Sequence, residues 1–471
     1  MSREIIPDRT QTFLLPPALD DWIPREHPAR FIAAFVDALD LPALGFLVRA
    51  TRKGRPAYSA KLLLAVFCYC YFSRIRSFRA MEQACLENIA VLWLTGGESP
   101  DHNTLWRFWN EHRDQIHGLL KESVRVAAEA GLVGMVLHAV DGTKIRAQAS
   151  MRTGNYRAQL KAALSRVEAS IREMEAGLEA SGDPEVDSYR LPAELADAEA
   201  LKAQIERSLE ELDKAGTNSL HPSEPDARVM KCDGRPLFGY NAQAVADATA
   251  GIIVAAEVVA QEVDHGMLVP MIERAIETTG SAAETTLADK GYSSGEDLAQ
   301  AEEAGHQVLV SLTRSVAPRD DEAPFHASRF RYDEDRDCCI CPLGEVLQFQ
   351  RIKKSNRQGK VRVYHCSGYR DCARRWECSR DKRGRTIELS RGTGAVDRQR
   401  AKQRNPTARQ TLRSRCVIVE PVFAFAKVRL DFRRWSYRNL RSNSAQWALI
   451  STVANLCKIY RVWRLGGLVW A

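Results

Sequence analysis

Three acidic residues, far apart in the chain, have the surroundings of metal ligands. Asp141 ends the apolar run Met135–Val140, and Asp289 ends the short run Thr285–Ala288. Glu420 lies in a helix-like stretch of the most basic part of the chain. A carboxylate at the C-terminal end of a strand projects into the crevice where α/β sheets bind ligands. Two such carboxylates and a helical Glu have the oxygen chemistry that Mg²⁺ or Mn²⁺ requires. A pair of these ions, about 3.5–4 Å apart, stabilises the attacking and leaving oxygens of an in-line displacement at phosphorus. That chemistry cuts and joins phosphodiesters. Each acid alone has a plainer reading. Asp141-Gly142 and Asp289-Lys290-Gly291 are turn sequences, and Glu420 could be one solvated carboxylate on a basic helix.

The elements around these residues raise their standing. Residues 1–130 read as short helices joined by tight turns, among them 29–36, 60–73 and a helix capped by Ser77. In that last helix Phe78, Met81, Cys85 and Ile89 share a face. With Arg74, Arg76, Arg79, Arg107 and Arg113 nearby, this region is compatible with a helix-turn-helix DNA reader, and equally with a plain helical bundle. Strands are expected at 135–140, 237–246, 252–260, 285–288 and 307–312, with helices at 267–278 and 293–304. Leu160, Leu164, Val167, Ile171, Met174 and Leu178 have heptad spacing, Gly182-Asp183-Pro184 breaks it, and Leu195 to Leu212 resume it. That segment reads as an inserted antiparallel helical hairpin. Without it the order is strand, strand, strand, helix, strand, helix, strand, the order of a ribonuclease-H-like α/β core. There the first and fourth strands are neighbours, which brings Asp141 beside Asp289.

Charge is unevenly spread. The net +7 combines a block, residues 351–441, with 27 Lys/Arg and 7 Asp/Glu, and a remainder with 40 and 53. A block that basic suits a polyanion, because Lys and Arg gain affinity by releasing counterions condensed on nucleic acid; a disordered basic linker is the alternative. Arg413, Glu420 and Lys427 are spaced by seven, which puts them on one helical face with cations ready for phosphates. Pro421 implies that the helix starts or bends there. The longest apolar run, Leu62–Phe72, is too short to span a membrane. The N-terminal Met1-Ser2-Arg3-Glu4 has no signal-peptide pattern, so a cytoplasmic location is expected.

Cys338, Cys339, Cys341, Cys366, Cys372 and Cys378 cluster in the basic segment. In a cytosolic setting Cys341, Cys366, Cys372 and Cys378 could form a Cys₄ zinc site, or remain reduced thiols in a loose insert. Cys338 or Cys339 could substitute for one of the four. Trp435 and Tyr437 lie among Arg433, Arg434 and Arg438, an interleaving that suits base stacking. Packing against a core is as good a reading.

The motifs Asp141-Gly142-Thr143-Lys144-Ile145, Ala288-Asp289-Lys290-Gly291-Tyr292 and Val419-Glu420-Pro421-Val422-Phe423, with Lys427, resemble those of bacterial insertion-sequence DDE transposases. The similar branch has a helical insertion after the first Asp and a cysteine-bearing insertion before the Glu. Leu14-Leu15-Pro16-Pro17, Gly54-Arg55-Pro56, Arg74-Ile75-Arg76-Ser77, Pro100–Thr104, Gly239–Gln243 and Phe432–Arg438 extend the likeness over nearly the whole chain. It implies that Asp141, Asp289 and Glu420 bind two Mg²⁺ or Mn²⁺ ions. Lys144, Lys290, Lys427, Arg433, Arg434, Trp435, Tyr437 and Arg438 then contact DNA. Arg413 or Arg415 supplies the phosphate contact that related enzymes place just before the Glu; here Cys416 occupies the expected position. The implied organisation is a DNA-binding domain at 1–130 and a catalytic core at 131–315 and 396–471. A hairpin insertion occupies 152–218 and a basic Cys-rich insertion 316–395. The implied activity is cleavage and strand transfer at terminal inverted repeats and target DNA, by a homodimer associated with the bacterial nucleoid. An inactive DNA-binding regulator and a ribonuclease-H-like nuclease without strand transfer are the alternatives.

Overall fold

The computed structural model describes residues 18–47, 57–181, 193–312, 324–355, 359–390 and 392–466. The segments Leu14–Pro17 and Gly54–Pro56, and the helix break expected at Gly182-Asp183-Pro184, lie outside them. Among the described residues no helix is long and apolar enough to cross a membrane. The chain divides into two compact units, one formed by residues 1–134, 425–431 and 448–471, the other by 135–424 and 432–447.

The first unit is helical. Its elements are α1 (Pro28–Asp37), α2 (Ala60–Phe72), α3 (Phe78–Glu87), α4 (Ile89–Thr95), α5 (His102–His112) and α6 (Ile116–Glu129). α2 is apolar on every side and buried from Leu63 to Tyr71, as a helix without a polar face must be. Ser77 caps α3, accepting from the Ala80 N–H. The expected face ending at Ile89 is not continuous. Asn88 Oδ1 accepts from the N–H groups of Ala90 and Val91 at 3.0 and 3.2 Å, which starts a new helix. Ile89 is left 49% exposed. Phe31 of α1 packs on Tyr460 and Trp463 from the end of the chain. Arg76 donates to the carbonyls of Leu430 and Asp431, so this arginine is engaged within its own unit.

The second unit is built on a mixed sheet of β1 (Leu137–Arg146), β4 (Arg228–Cys232), β5 (Arg235–Asp247), β6 (Ile253–Val259), β7 (Thr285–Ala288) and β8 (Val308–Val310). Its order is β4-β5-β1-β7-β8, with β6 also paired to β5. β1 runs antiparallel to β5 and parallel to β7, and β7 runs parallel to β8. The adjacency of the first strand and the Asp289 strand, expected from element order, is therefore present. β4 is an addition that the sequence reading missed.

Between β1 and β4 the chain leaves through the short pair β2 (Asn155–Tyr156) and β3 (Ser219–Leu220) into two long helices, α7 (Arg157–Ser181) and α8 (Ala193–Lys214). Ile171, Leu195, Ile205 and Leu212 of the heptad pattern are buried between them. α9 (Leu268–Thr279) and α10 (Gly295–Glu303) follow β6 and β7.

The Cys-rich stretch is an ordered antiparallel sheet that periodicity did not reveal. Its strands are β9 (Arg331–Asp333), β10 (Cys338–Ile340), β11 (Val346–Ser355), β12 (Gly359–Cys366) and β13 (Thr386–Ser390), in the order β13-β12-β11-β10-β9. Phe330, Cys339, Leu347, Tyr364 and Ile387 form its core. Most of its exposed strand positions are polar or charged, which hides the few inward ones.

After the short helix α11 (Arg375–Cys378), α12 (Thr393–Lys402) closes the edge strand β8 with side chains. Gln399 donates to the Val308 carbonyl at 2.8 Å, and Gln403 to that of Val310 at 2.6 Å. Pairing of this kind protects an edge that would otherwise bury unpaired backbone groups. α13 (Pro406–Ala424) then packs on β1, β5 and β7.

Candidate active site

Strand β1 does not stop at Asp141, as the apolar run suggested. It continues to Arg146 because β5 pairs with it throughout, Asp141 opposite Ala244. What ends at this point is the pairing with β7, whose last pair is Val140 with Ala288. Asp141 and Asp289 are thus the next residues on two neighbouring parallel strands, at the edge where the sheet opens. Their proximity registers electrostatically: the Asp289 charge raises the Asp141 pKa.

Asp141 is mostly buried, and burial is the main cause that pushes its carboxyl above the usual carboxylate range. Arg415 opposes this. Its Nη1 lies 2.7 Å from Asp141 Oδ2, with side chains 14% and 19% exposed. The Gly142 N–H donates to Asp141 Oδ1 at 2.8 Å. Asp289 Oδ1 accepts from the Gly291 N–H at 2.6 Å, fixing the turn that follows β7. Of the two arginines expected to serve the phosphate contact, Arg415 reaches the acid, and Arg413 is exposed.

Glu420 is on α13, in the turn after Arg415, and is exposed. Its carboxylate accepts from Cys416, raising that thiol's pKa. The helix neither starts nor stops at Pro421. It runs from Pro406 to Ala424 with the proline inside, and a π-helical segment, Phe425–Arg429, comes next. Proline removes one intrahelical donor and crowds the preceding turn, and wide π turns change the helical phase. The spacing of seven that would align Lys427 with Glu420 assumes α-helical turns throughout, and Lys427 is in the π-helical segment.

Other expected contacts divide. Trp435 is fully buried and donates to the Ile145 carbonyl at 3.2 Å, edge-on to Tyr240 and Phe432. It is a core residue here, with its ring packed against neighbouring rings and none of it exposed. Arg434 donates to the carbonyls of Ala147 and Gln148. Lys290, Arg433 and Arg438 are exposed, and Tyr437 is half-buried. Lys144 lies 3.4 Å from Asp264.

Asp264, in the loop between β6 and α9, was not a candidate. Its Oδ1 accepts from Asn241 Nδ2 and Gln243 Nε2, each at 2.7 Å. Tyr292 donates to Gln243 Oε1, and burial holds its phenol well above the usual range, with Asp264, Asp141 and Asp289 adding to the effect. Two amide residues, Asn241 and Gln243, at alternate positions in the buried stretch of β5 are the available sequence signal. A single loop Asp offered none.

Cys341, Cys366, Cys372 and Cys378 line one cavity of about 390 Å³ beside the five-stranded sheet. Cys341 Sγ accepts from the N–H groups of Leu343 and Glu345, both at 3.3 Å. Burial raises the pKa of Cys366 and Cys378. Among the described residues no three His, Cys, Asp or Glu groups stand close enough to hold one ion together, in either region. The oxygens of Asp141 and Asp289 have the donor chemistry for a hard divalent ion. Substrate phosphate would have to complete the shell.

Residues 17–111 match the family model of a transposase domain, and residues 340–460 match that of a transposase DDE domain. The second match contains Arg415, Glu420 and the four cavity cysteines; Asp141 and Asp289 lie outside both. A comparison with curated proteins finds no match. The chain thus carries a transposase domain in its N-terminal part and a transposase DDE domain in its C-terminal part, and together these support an insertion-sequence DDE transposase.

Proposed function

We propose that this transposase binds the terminal inverted repeats of its element as a homodimer and carries out Mg²⁺- or Mn²⁺-dependent strand cleavage and transfer. Asp141, Asp289 and Glu420 are its triad, on a ribonuclease-H-like core. The observation that carries the reading is the level placement of Asp141 and Asp289 on adjacent parallel strands. The ion-paired Arg415 adds to it by tethering the Glu420 helix to that edge. A divalent ion held there supplies charge neutralisation at phosphorus and a more acidic bound water. The protein's own part is positioning: two carboxylates on rigid strands, a third on a helix, and Arg415 near the phosphate path. The first unit, with Arg79 and Arg107 exposed on its helices, would read the repeat.

Glu420→Gln tests this reading. The variant is expected to keep binding to end-sequence DNA and to lose metal-dependent nicking of that end. Undiminished nicking would sink the assignment of the triad. A nuclease without strand transfer shares the same acids; joined products from a pre-cut end and a target duplex distinguish the transposase from it. For the Cys-rich sheet, a structural zinc at Cys341, Cys366, Cys372 and Cys378 draws on their shared cavity and on the N–H donors at Cys341, and would require the four side chains to come closer together than they stand here. Binding must displace the thiol protons.

A further inference from the structure

Asp264 has a place in the fold that neither family match covers. Residues directly opposite in an antiparallel pair share a face, and neighbours along a strand alternate. Lys144 with Asn241 and Gly142 with Gln243 therefore occupy one face of the sheet, while Asp141 with Ala244 occupies the other. Asp264 meets the first of these faces. Its Oδ1 is held by Asn241 and Gln243, both fully buried, and its Oδ2 faces Lys144 Nζ.

Two glycines make room for it. A Cβ on Gly142 would overlap Gln243 Nε2 and come within 2.8 Å of both Asp264 Oδ1 and Asn241 Oδ1. A Cβ on Gly291 would stand 2.9 Å from Asp264 Oδ2 and 2.9 Å from Asp289 Oδ1. The carboxylate is thus wedged against the residue that follows Asp141 and the residue two past Asp289. These are the same two residues whose N–H groups hold the Asp141 and Asp289 carboxylates. Asn241 Oδ1 is buried beside it with no donor among the described residues, so the wall also carries an open acceptor. Oxygens of this kind suit a hydrated, hard cation.

We infer that Asp264 is a positioning residue of the active site: it backs the sheet behind Asp141 and Asp289 and sets the geometry in which those two carboxylates meet a divalent ion. The inference rests on the proposed metal-dependent function. Its energetic source is a charged acceptor satisfied by two amides and an ammonium, which rigidifies both glycine segments at once. Groups that orient metal ligands without touching the metal typically change affinity 10–100-fold when removed.

The test uses the full-length protein and Mn²⁺ alone, titrated by electron paramagnetic resonance without DNA. Asp264→Asn keeps an oxygen for Asn241 and Gln243 but turns an N–H₂ toward Lys144. It is expected to keep the far-ultraviolet circular dichroism of the wild type and its binding of end-sequence DNA. Its Mn²⁺ affinity is expected to fall about tenfold or more, with nicking recovering at high Mn²⁺. Asp264→Ser, which removes the carboxylate with less bulk, is expected to behave alike. A folded Asp264→Asn or Asp264→Ser protein with wild-type Mn²⁺ affinity overturns the inference. So does unfolding of both variants, which would make Asp264 a residue of general stability. Asp289→Asn separates the two readings. If it loses Mn²⁺ while Asp264→Asn does not, only the positioning role fails; if it too keeps wild-type affinity, the metal assignment itself fails.

Discussion

Arg415→Ala should expose how far the candidate site depends on one cation. The Arg415–Asp141 pair is 2.7 Å long and its side chains are 14% and 19% exposed, so solvent screens it little. Removing one member of such a pair leaves a buried charge uncompensated and costs about 3 kcal/mol. At about 1.4 kcal/mol per decade, that is roughly a hundredfold loss of amide protection in β1 and β5 if opening is local. Hydrogen–deuterium exchange on peptides covering 137–146 and 235–247 reads this directly. The pH dependence has a definite sign. Burial already holds the Asp141 carboxyl above its ordinary range, and Arg415 is the main influence pulling it down. Without Arg415 the folded state binds this proton more tightly than the unfolded chain does. Stability of the variant therefore falls as pH rises from about 3.9, the unfolded value, through the raised folded value. The loss should be small in acid and complete at neutral pH. Mn²⁺ should protect the variant more than the wild type, because the ion replaces the missing charge. Protection equal to wild type at pH 7, or a loss that grows toward acid pH, would refute the reasoning.

Three further outcomes follow from the same coordinates. Gly142→Ala forces a methyl into the Gln243–Asn241–Asp264 network; overpacking of this kind costs about 1–3 kcal/mol and should lower the urea midpoint of the sheet-containing unit, so an unchanged midpoint counts against the packing described. Trp435→Ala removes a fully buried ring and should destabilise by about 3–5 kcal/mol, visible in thermal unfolding without DNA; a DNA-binding defect in a protein of normal stability would restore the stacking reading. Protein prepared with zinc present should carry about one zinc per chain by elemental analysis if the four cavity cysteines act together, with Cys341→Ser and Cys378→Ser each losing it; metal-free wild type with an intact fold leaves them as plain thiols.

Some of this was legible in residue order, and some was not. The alternation and apolar runs of 237–246, 252–260 and 285–288 located strands because one face or both must be buried. The heptad in 160–212 located a helical hairpin for the same reason. Asp289 was found because β7 ends where its apolar run ends. The end of β1 was misjudged because an antiparallel partner, not local hydrophobicity, carries it on to Arg146. The five-stranded Cys-rich sheet was hidden because its core is five side chains among many exposed charges.

By itself, the sequence determined which acids are available, how basic their surroundings are, and the order of elements that makes β1 and β7 neighbours. Tertiary structure decided the rest. It chose Arg415 over Arg413, because helix phase against the sheet edge sets which guanidinium reaches Asp141. It placed Trp435 in the core, because burying an indole next to Tyr240 and Phe432 outweighs leaving it to solvent. And it brought Asp264, an unremarkable loop residue in the sequence, against the two glycines next to the metal-binding candidates. Proximity of that kind depends on strand register and on the absence of two Cβ atoms, and no local pattern encodes it.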